Sequence, residues 1–383
     1  MNTNRPTFAR IDLAALEHNY RQIRSRVGPD VKIMAVVKAD AYGHGAVPVA
    51  SVLERLGADS FGVAFCEEGI QLREGGITRP ILVLGGIYFG EAAKAHKYGL
   101  TPVIASVKAA HDLNYDAERL GLKFKVHLKV DTGMNRIGLT PEEAMPLSLS
   151  IVKEMPRLEL EGVISHFATV TPDLGDAYWK QLTAFREAVS WMSARGIEPP
   201  LRHIANSSAC LAAPRPPFNV VRPGILLYGA MPDPSFEGML DIKPIMSFTT
   251  EIFHLKRTPP DSPISYGGTY TTKRPSVIAT LPVGYADGLP RVLSNRGHAL
   301  VRGIKVPIVG NVCMDMTIID VTDVPNVSLG DQVVFIGAQN GASITAWEMA
   351  HACGTIPYEI FCGINHRVSR IYTYGTQAPE QMP

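Results

Sequence analysis

The sequence of 383 residues predicts an α/β barrel followed by a mostly-β domain. Eight short apolar segments alternate with helical patterns in the first part, and β-rich segments with Gly and Pro between them follow from about residue 241. Alternating strands and helices imply parallel pairing with right-handed crossovers. Eight strands over ~200 residues fit a closed (β/α)8 barrel of the TIM type better than an open doubly wound sheet. We therefore expect a barrel over 1–240 and a β-rich domain over 241–383.

The barrel strands are expected where apolar runs end at polar or small residues, at 31–37, 60–65, 80–84, 101–105, 123–130, 161–165, 202–205 and 218–221. Between them, amphipathic patterns predict helices, for example at 12–27, 49–57 and 176–196. Gly57, Gly121 and Gly196 lie where helix C-caps are expected.

The second domain is predicted from segments in which β-branched and aromatic residues dominate. These segments are 247–257, 276–285, 313–321 and 331–337, and only 345–353 has a clear helical pattern. The loop 231–241 is the expected boundary.

Composition and charge exclude several classes of protein. Lys+Arg is 37 and Asp+Glu is 36, so no charge excess points to nucleic acid or a charged membrane surface. The N-terminus lacks the apolar segment of a signal peptide, and no apolar run approaches the ~20 residues of a spanning helix. Five cysteines without C-x-x-C pairing argue against a structural zinc site and fit a reducing compartment. We expect a cytoplasmic protein without a metal.

Polar residues follow the predicted barrel strands where active sites of such barrels form, at the C-terminal ends. Each has an ordinary explanation alone: a solvated lysine, a core histidine, a helix N-cap. Several together favour one site. The strand ends carry Lys38, Lys129 with Asp131, Ser165 with His166, Asn206-Ser207-Ser208, and Arg222 followed by Pro223-Gly224-Ile225.

The last two of these strand ends resemble a phosphate cradle. A phosphate in such a barrel is commonly held by the loops after strands seven and eight. Ser207 offers a hydroxyl, and Gly224 and Ile225 offer backbone N–H groups. Lys38 is expected to be buried at its strand end, where a neutral amine can form a Schiff base. Together these features predict pyridoxal phosphate, with Tyr42 reaching its phosphate and small neighbours making room for it.

Motifs along nearly the whole chain resemble those of alanine racemases. In chain order they are V-V-K-A-D-A-Y-G-H-G (36–45), K-V-D-T-G-M-N-R-I-G (129–138), S-H-F-A (165–168), H-I-A-N-S-S-A (203–209), V-R-P-G-I-L-L-Y-G (221–229), I-S-Y-G-G-T-Y (264–270), L-P-V-G-Y-A-D-G (281–288), V-C-M-D-M (312–316), T-I-P-Y-E-I (355–360) and R-V-S-R-I-Y (367–372). The resemblance implies an obligate head-to-tail homodimer whose active sites are shared between subunits.

The resemblance also implies roles for single residues. Lys38 binds the cofactor and is one of two racemisation bases, and Tyr266 from the partner subunit is the other. Arg222 faces the pyridine nitrogen, with His166 bonded behind it. The expected phosphate ligands are Tyr42, Ser207, Gly224, Ile225 and Tyr358.

The remaining implied roles concern the substrate and its entrance. Arg136 and Met314 resemble substrate-carboxylate contacts, and Tyr285 and Tyr358 would narrow the entrance. Lys129 matches a position that is often carbamylated to hold Arg136. Its ordinary alternative is an ion pair with Asp131.

The expected activity is interconversion of L- and D-alanine, which supplies D-alanine for peptidoglycan. One alternative is a racemase of broader range, or one acting on serine or lysine. A decarboxylase of related fold is less well supported, because I-S-Y-G and V-C-M-D lie where racemases have them. From another class, a non-catalytic protein that binds pyridoxal phosphate is also compatible with Lys38.

Overall fold

The computed structural model describes residues 5–374, and eight parallel strands form a nearly closed barrel in its first part, as predicted. Numbered after an initial strand β1 (Phe8–Asp12), the barrel strands are β2 (Lys32–Val36), β3 (Ser60–Val63), β4 (Ile81–Val83), β5 (Leu100–Ile104), β6 (Phe124–Lys129), β7 (Leu158–Ile164), β8 (Leu201–His203) and β9 (Val220–Val221). The order runs from β2 to β8, with β9 beside β2. Between β8 and β9, the Arg222 N–H donates to the Ala205 carbonyl at 3.0 Å.

Helices connect the barrel strands, among them those that amphipathic patterns predict near 12–27, 49–57 and 176–196. Asp12 caps the first helix by accepting from two backbone N–H groups, and Gly121 ends another in the left-handed conformation, with φ of 69°. The helical segments are α1 (Leu13–Val27), α2 (Lys38–Gly43), α3 (Ala46–Arg55), α4 (Cys66–Glu74), α5 (Ala92–Lys97), α6 (Val107–Leu120), α7 (Pro141–Glu154), α8 (Asp176–Ser193) and α9 (Ser207–Ala212).

The C-terminal part is mostly β, as predicted. Its strands are β10 (Met246–Glu251), β11 (His254–Thr258), β12 (Pro263–Ile264), β13 (Tyr270–Thr271), β14 (Ser276–Leu281), β15 (His298–Val301), β16 (Ile304–Pro307), β17 (Thr317–Asp320), β18 (Gln332–Gln339), β19 (Ala342–Ile344) and β20 (Ser369–Thr373). Two helices follow β19, α10 (Ala346–Cys353) and α11 (Pro357–Gly363). The sequence patterns predicted α10 but not α11, which is short and begins at a proline.

Strand β1 precedes the barrel in sequence but belongs to the C-terminal sheet. It pairs antiparallel with β10 and parallel with β20, in a sheet of order β16-β15-β18-β10-β1-β20 with β19 attached to β18. A domain boundary near residue 240 stays a prediction, and the outer ends of the predicted domains, 1–4 and 375–383, lie outside the described residues.

Two apolar clusters position the barrel. The larger runs without interruption from the barrel helices to the C-terminal sheet, so the two parts share one packed interior. The smaller joins inward-facing side chains of five barrel strands: Met34, Leu82, Val103, Ile164 and Val220. The barrel interior is thus filled with side chains, which confines chemistry to the strand ends.

Candidate active site

Lys38 lies two residues after the end of β2, and the chain then makes a left-handed turn. Ala39, Asp40, Ala41 and Tyr42 all have φ between 51° and 54°. Each such residue costs roughly 1–2 kcal/mol, so the turn costs roughly 4–8 kcal/mol that the surrounding structure must offset. The sequence predicted a loop of small residues here but not its left-handed conformation, because the turn contains no glycine before Gly43.

Side chains from neighbouring elements stabilise this turn. The Ala39 N–H donates to Glu68 Oε1 at 2.7 Å. His44 is fully buried and bonds the Ala41 carbonyl through Nδ1 at 2.8 Å. Because a carbonyl only accepts, Nδ1 must carry the proton. The backbone after Lys38 is therefore fixed by specific partners.

The Lys38 amine lies in surroundings that favour its neutral form. Burial lowers its pKa, the nearby Arg136 guanidinium lowers it further, and Glu68 acts in the opposite direction. A neutral amine is the nucleophilic form of lysine. Lys38 is thus suited to attack an aldehyde.

Four of the predicted phosphate ligands lie together, and one of them, Tyr42, belongs to the turn that follows Lys38. The Gly224 N–H donates to Ser207 Oγ at 3.0 Å, and the Tyr42 and Tyr358 rings lie 5.7 Å apart. A Cβ on Gly224 would sit 2.6 Å from the Tyr42 hydroxyl, so any other residue would displace that hydroxyl. Ile225 follows, fully buried. These side-chain hydroxyls and the nearby backbone form surroundings that suit a phosphate group.

Arg222 is buried beside two histidines. Its Nη2 donates to His166 Nδ1 at 3.0 Å and to the Ser165 carbonyl at 2.6 Å, and Nη1 donates to His203 Nδ1 at 3.0 Å. The expected contact between Arg222 and His166 is therefore present. Burial lowers the pKa of Arg222 to about 9, which still leaves the guanidinium charged at neutral pH.

A chain of hydrogen bonds runs from Arg222 through the barrel interior to Glu161. His203 Nε2 lies 2.8 Å from His127 Nδ1, and His127 Nε2 lies 3.4 Å from Glu161 Oε2. Burial lowers the pKa of both histidines and the Arg222 charge lowers both further, whereas the Glu161 carboxylate acts in the opposite direction on His127. Since His203 Nδ1 accepts from Arg222, its Nε2 must donate to His127, and His127 Nε2 must donate to Glu161. The position of each proton between Arg222 and Glu161 is thereby fixed.

Sequence reasoning missed His203, His127 and Glu161. Imidazoles facing the inside of a barrel resemble core residues in sequence. A usable signal was Gly162 in the interior of β7, because glycine in a strand often marks a close approach. A Cβ there would lie 2.6 Å from the His127 ring.

Lys129 is buried among cations. Burial lowers its pKa to about 7, and Arg222 and Arg136 contribute to the decrease. Asp131 lines one small cavity with Lys129, and its charge acts in the opposite direction on the Lys129 pKa. The two side chains are not at ion-pair distance, however, and Asp131 Oδ1 accepts from three backbone N–H groups. Within residues 5–374, no carboxylate lies at ion-pair distance from Lys129. Arg136 and His166 line the same cavity.

Tyr266 and Met314 lie elsewhere on the chain. Their exposed fractions are 77% and 53%, and no described hydrogen bond or ring contact joins either to Lys38. The Tyr266 carbonyl accepts from Asn311 Nδ2 at 2.7 Å, within the C-terminal part. Tyr285 lies beside Met314, because the Tyr285 N–H donates to the carbonyl of Cys313, the residue before Met314, at 2.9 Å. One copy of the chain therefore does not bring the two predicted bases together.

Both parts of the sequence match models of one protein family. Residues 11–232 match the alanine racemase N-terminal domain and residues 245–372 match the alanine racemase C-terminal domain. The chain belongs to the alanine racemase family. It is thus an isomerase, as the sequence motifs indicated.

Individual alanine racemases are similar over nearly their whole length. The chain is 45% identical to the alanine racemase of Halothermothrix orenii, and the match covers 96% of this chain and 97% of the relative. It is 47% identical to that of Geobacter sulfurreducens, with the same coverage of each. Among solved structures, alanine racemase of Clostridium difficile superimposes with a TM-score of 0.93 at 36% identity, covering 98% of both chains. The structure of alanine racemase from Bacillus anthracis with bound L-Ala-P superimposes with a TM-score of 0.92 at 38% sequence identity. The match covers 98% of this chain and 97% of the Bacillus anthracis chain.

Two further properties of residues 5–374 concern metals and membranes. No group of three or more His, Cys, Asp or Glu side chains is placed to hold a metal ion. No helix in this range is both long enough and apolar enough to cross a bilayer.

Proposed function

We propose that this protein interconverts L-alanine and D-alanine with pyridoxal phosphate and thereby supplies D-alanine for peptidoglycan. The observation that carries the proposal is the convergence of Lys38, the Tyr42–Ser207–Gly224 cradle and buried Arg222 at the C-terminal ends of the barrel strands. The alanine racemases among its relatives support the choice of substrate.

The residues at the strand ends suit this cofactor. The Lys38 amine would bind its aldehyde, and Tyr42, Ser207 and the backbone from Gly224 would bind its phosphate. When bound, pyridoxal phosphate delocalises the electron pair that remains after the α-proton leaves. Arg222 bonds neutral imidazoles and carbonyls rather than a carboxylate, so it offers N–H groups to the cofactor nitrogen and no transferable proton.

Racemisation needs an acid/base group on each face of Cα. We assign one face to Lys38 and the other to Tyr266 of a second copy, because Tyr266 is exposed and lies away from Lys38 in its own chain. Tyr266→Phe should then slow α-proton exchange far more from one enantiomer than from the other. Tyr88→Phe, at a similarly exposed tyrosine, is the control. Equal slowing for both enantiomers would contradict the assignment.

Lys129 is proposed to carry a carbamate. A neutral amine adds CO2 and releases a proton, and the new carboxylate would supply the anion that Arg136 and Arg222 lack. With 13C-labelled bicarbonate, NMR should show a carbamate signal that Lys129→Met removes and Lys94→Met, at an exposed lysine, leaves unchanged. A signal that persists in Lys129→Met would overturn this assignment.

The compartment is also part of the proposal. All five cysteines are unpaired, which supports function in the reducing cytoplasm.

Chiral analysis tests the proposed activity. Protein loaded with cofactor is incubated separately with L-alanine, L-serine, L-lysine and L-arginine. Rapid conversion of alanine alone toward equal enantiomers is expected. Comparable conversion of the larger amino acids would indicate a broader racemase, and no conversion with cofactor bound would indicate a binding protein.

A further inference from the structure

Strand β20 holds the turn after Lys38 from outside the barrel. Arg370, in β20, directs its guanidinium at the carbonyl oxygen of Gly43, the last residue of the turn. Nε donates to this oxygen at 3.1 Å and Nη2 at 2.9 Å. One carbonyl of the turn is therefore bound by two N–H groups of one side chain.

The other N–H groups of Arg370 bind the loop between α11 and β20. Nη1 donates to the Val368 carbonyl at 2.8 Å and to the Asn365 carbonyl, and Nη2 also donates to the Ile364 carbonyl. All five N–H groups of the guanidinium thus have carbonyl acceptors. Lysine has three donors on one nitrogen and cannot reproduce this planar arrangement.

The C-terminal part also packs tightly against both glycines of G-H-G. A Cβ on Gly43 would lie 2.3 Å from the Phe361 carbonyl oxygen, and one on Gly45 would lie 1.8 Å from the Tyr372 hydroxyl. Both glycines also have positive φ. In the structure, the room that they leave is taken by the C-terminal part of the same chain.

We propose that Arg370 is a positioning residue for Lys38. The four residues of positive φ between Lys38 and Gly43 favour right-handed conformations when they are free, so the turn needs an external hold at its far end. Arg370 supplies it through the backbone and touches no reacting group. This role rests on the proposed function of Lys38. The C-terminal part thereby acts on its own chain through Arg370 and on a second copy through Tyr266.

Two variants separate the geometry of the guanidinium from its charge. Arg370→Ala removes both, and Arg370→Lys keeps the charge. Arg302→Ala is the control, because Arg302 pairs with Asp331 on the surface of the same part of the chain. Hydrogen exchange of peptides covering 38–46, read by mass spectrometry, should be faster in both Arg370 variants and unchanged in the control.

Activity supplies a second readout. We expect kcat for alanine to fall roughly 10- to 100-fold in both Arg370 variants with little change in KM, since displaced catalytic groups slow the chemical step. A cleft of ≈ 600 Å³ beside Ala39, Asp40 and Gly43 gives added guanidinium ion access to the vacated position. The ion should restore part of kcat in Arg370→Ala and none in Arg370→Lys, whose side chain fills that position.

Unchanged hydrogen exchange over 38–46 in Arg370→Ala would overturn the proposal, whether or not kcat falls. Wild-type behaviour of Arg370→Lys in both measurements would also overturn it, because charge alone would then suffice. If Arg370→Ala does not fold, Arg370→Lys still provides both readouts. Exchange requires neither cofactor nor substrate, so an inactive wild-type protein would refute the proposed function and leave this test intact.

Discussion

Replacing Gly162 with Ala tests the buried histidine chain. A Cβ at this position would lie 2.6 Å from Cε1 and Nδ1 of His127, whose ring is buried and bonded to His203 at 2.8 Å. Overpacking costs about 1–3 kcal/mol. A buried imidazole that loses its partner costs about 1–3 kcal/mol more, whereas Ala recovers roughly 0.5–1 kcal/mol relative to Gly in a strand. We expect the free energy of unfolding to fall by about 1–5 kcal/mol.

Urea titration followed by tryptophan fluorescence measures this loss, since two of the three tryptophans lie in α8 of the barrel. Gly62→Ala in β3 is the matched control, because its Cβ would meet only flexible side chains, the nearest atom being Leu84 Cδ1 at 3.2 Å. In a His127→Ala background, Gly162→Ala should cost much less than alone. Equal losses for Gly162→Ala and Gly62→Ala would refute the view that the His127 ring is fixed.

Two further predictions concern titratable groups. Burial lowers the pKa of His44 to about 3, so below pH ~6.5 the unfolded chain binds a proton that the folded chain does not. Stability should therefore decrease as pH falls from about 6.5 toward 3, by up to about 5 kcal/mol, and His44→Gln should decrease less steeply in urea titrations; parallel decreases would contradict this. The hydrogen bond from His127 and the contact with Lys125 lower the pKa of Glu161 to about 2. Glu161→Gln should cost about 1–3 kcal/mol, because His127 loses its charged acceptor, whereas exposed Glu159→Gln should cost little. The histidine tautomers seen by 15N NMR should stay unchanged in Glu161→Gln, since Arg222 sets them from the other end and a glutamine oxygen still accepts from His127 Nε2; changed tautomers would argue against the fixed proton positions.

Much of the fold is encoded locally and was predictable. The barrel strands are short apolar runs whose ends carry polar residues, so both the strands and the strand-end site around Lys38 and Arg222 could be found. Strand β1 could not, because its partners β10 and β20 lie more than 200 residues away in sequence. The five-residue segment has little pattern of its own.

The parts of the site that escaped prediction depend on contacts between distant backbone groups or between inward-facing side chains. Arg370 binds carbonyl oxygens, which every residue has, so nothing in the sequence marks its target at Gly43. The left-handed turn contains no glycine over 39–42 and is imposed by packing. His127 and His203 are polar residues at inward positions, and only the three-dimensional register joins them.

Mixing two inactive variants tests the central claim most directly. In the proposed dimer, Lys38→Ala lacks one base and Tyr266→Phe lacks the other, so each alone should have little alanine racemase activity. When the two are unfolded, mixed in equal amounts and refolded with pyridoxal phosphate, half of the dimers should be mixed, each with one intact site. The account predicts recovery of about a quarter of wild-type activity. No recovery, with mixed dimers demonstrated by mass spectrometry, would contradict a site shared between Lys38 of one copy and Tyr266 of the other.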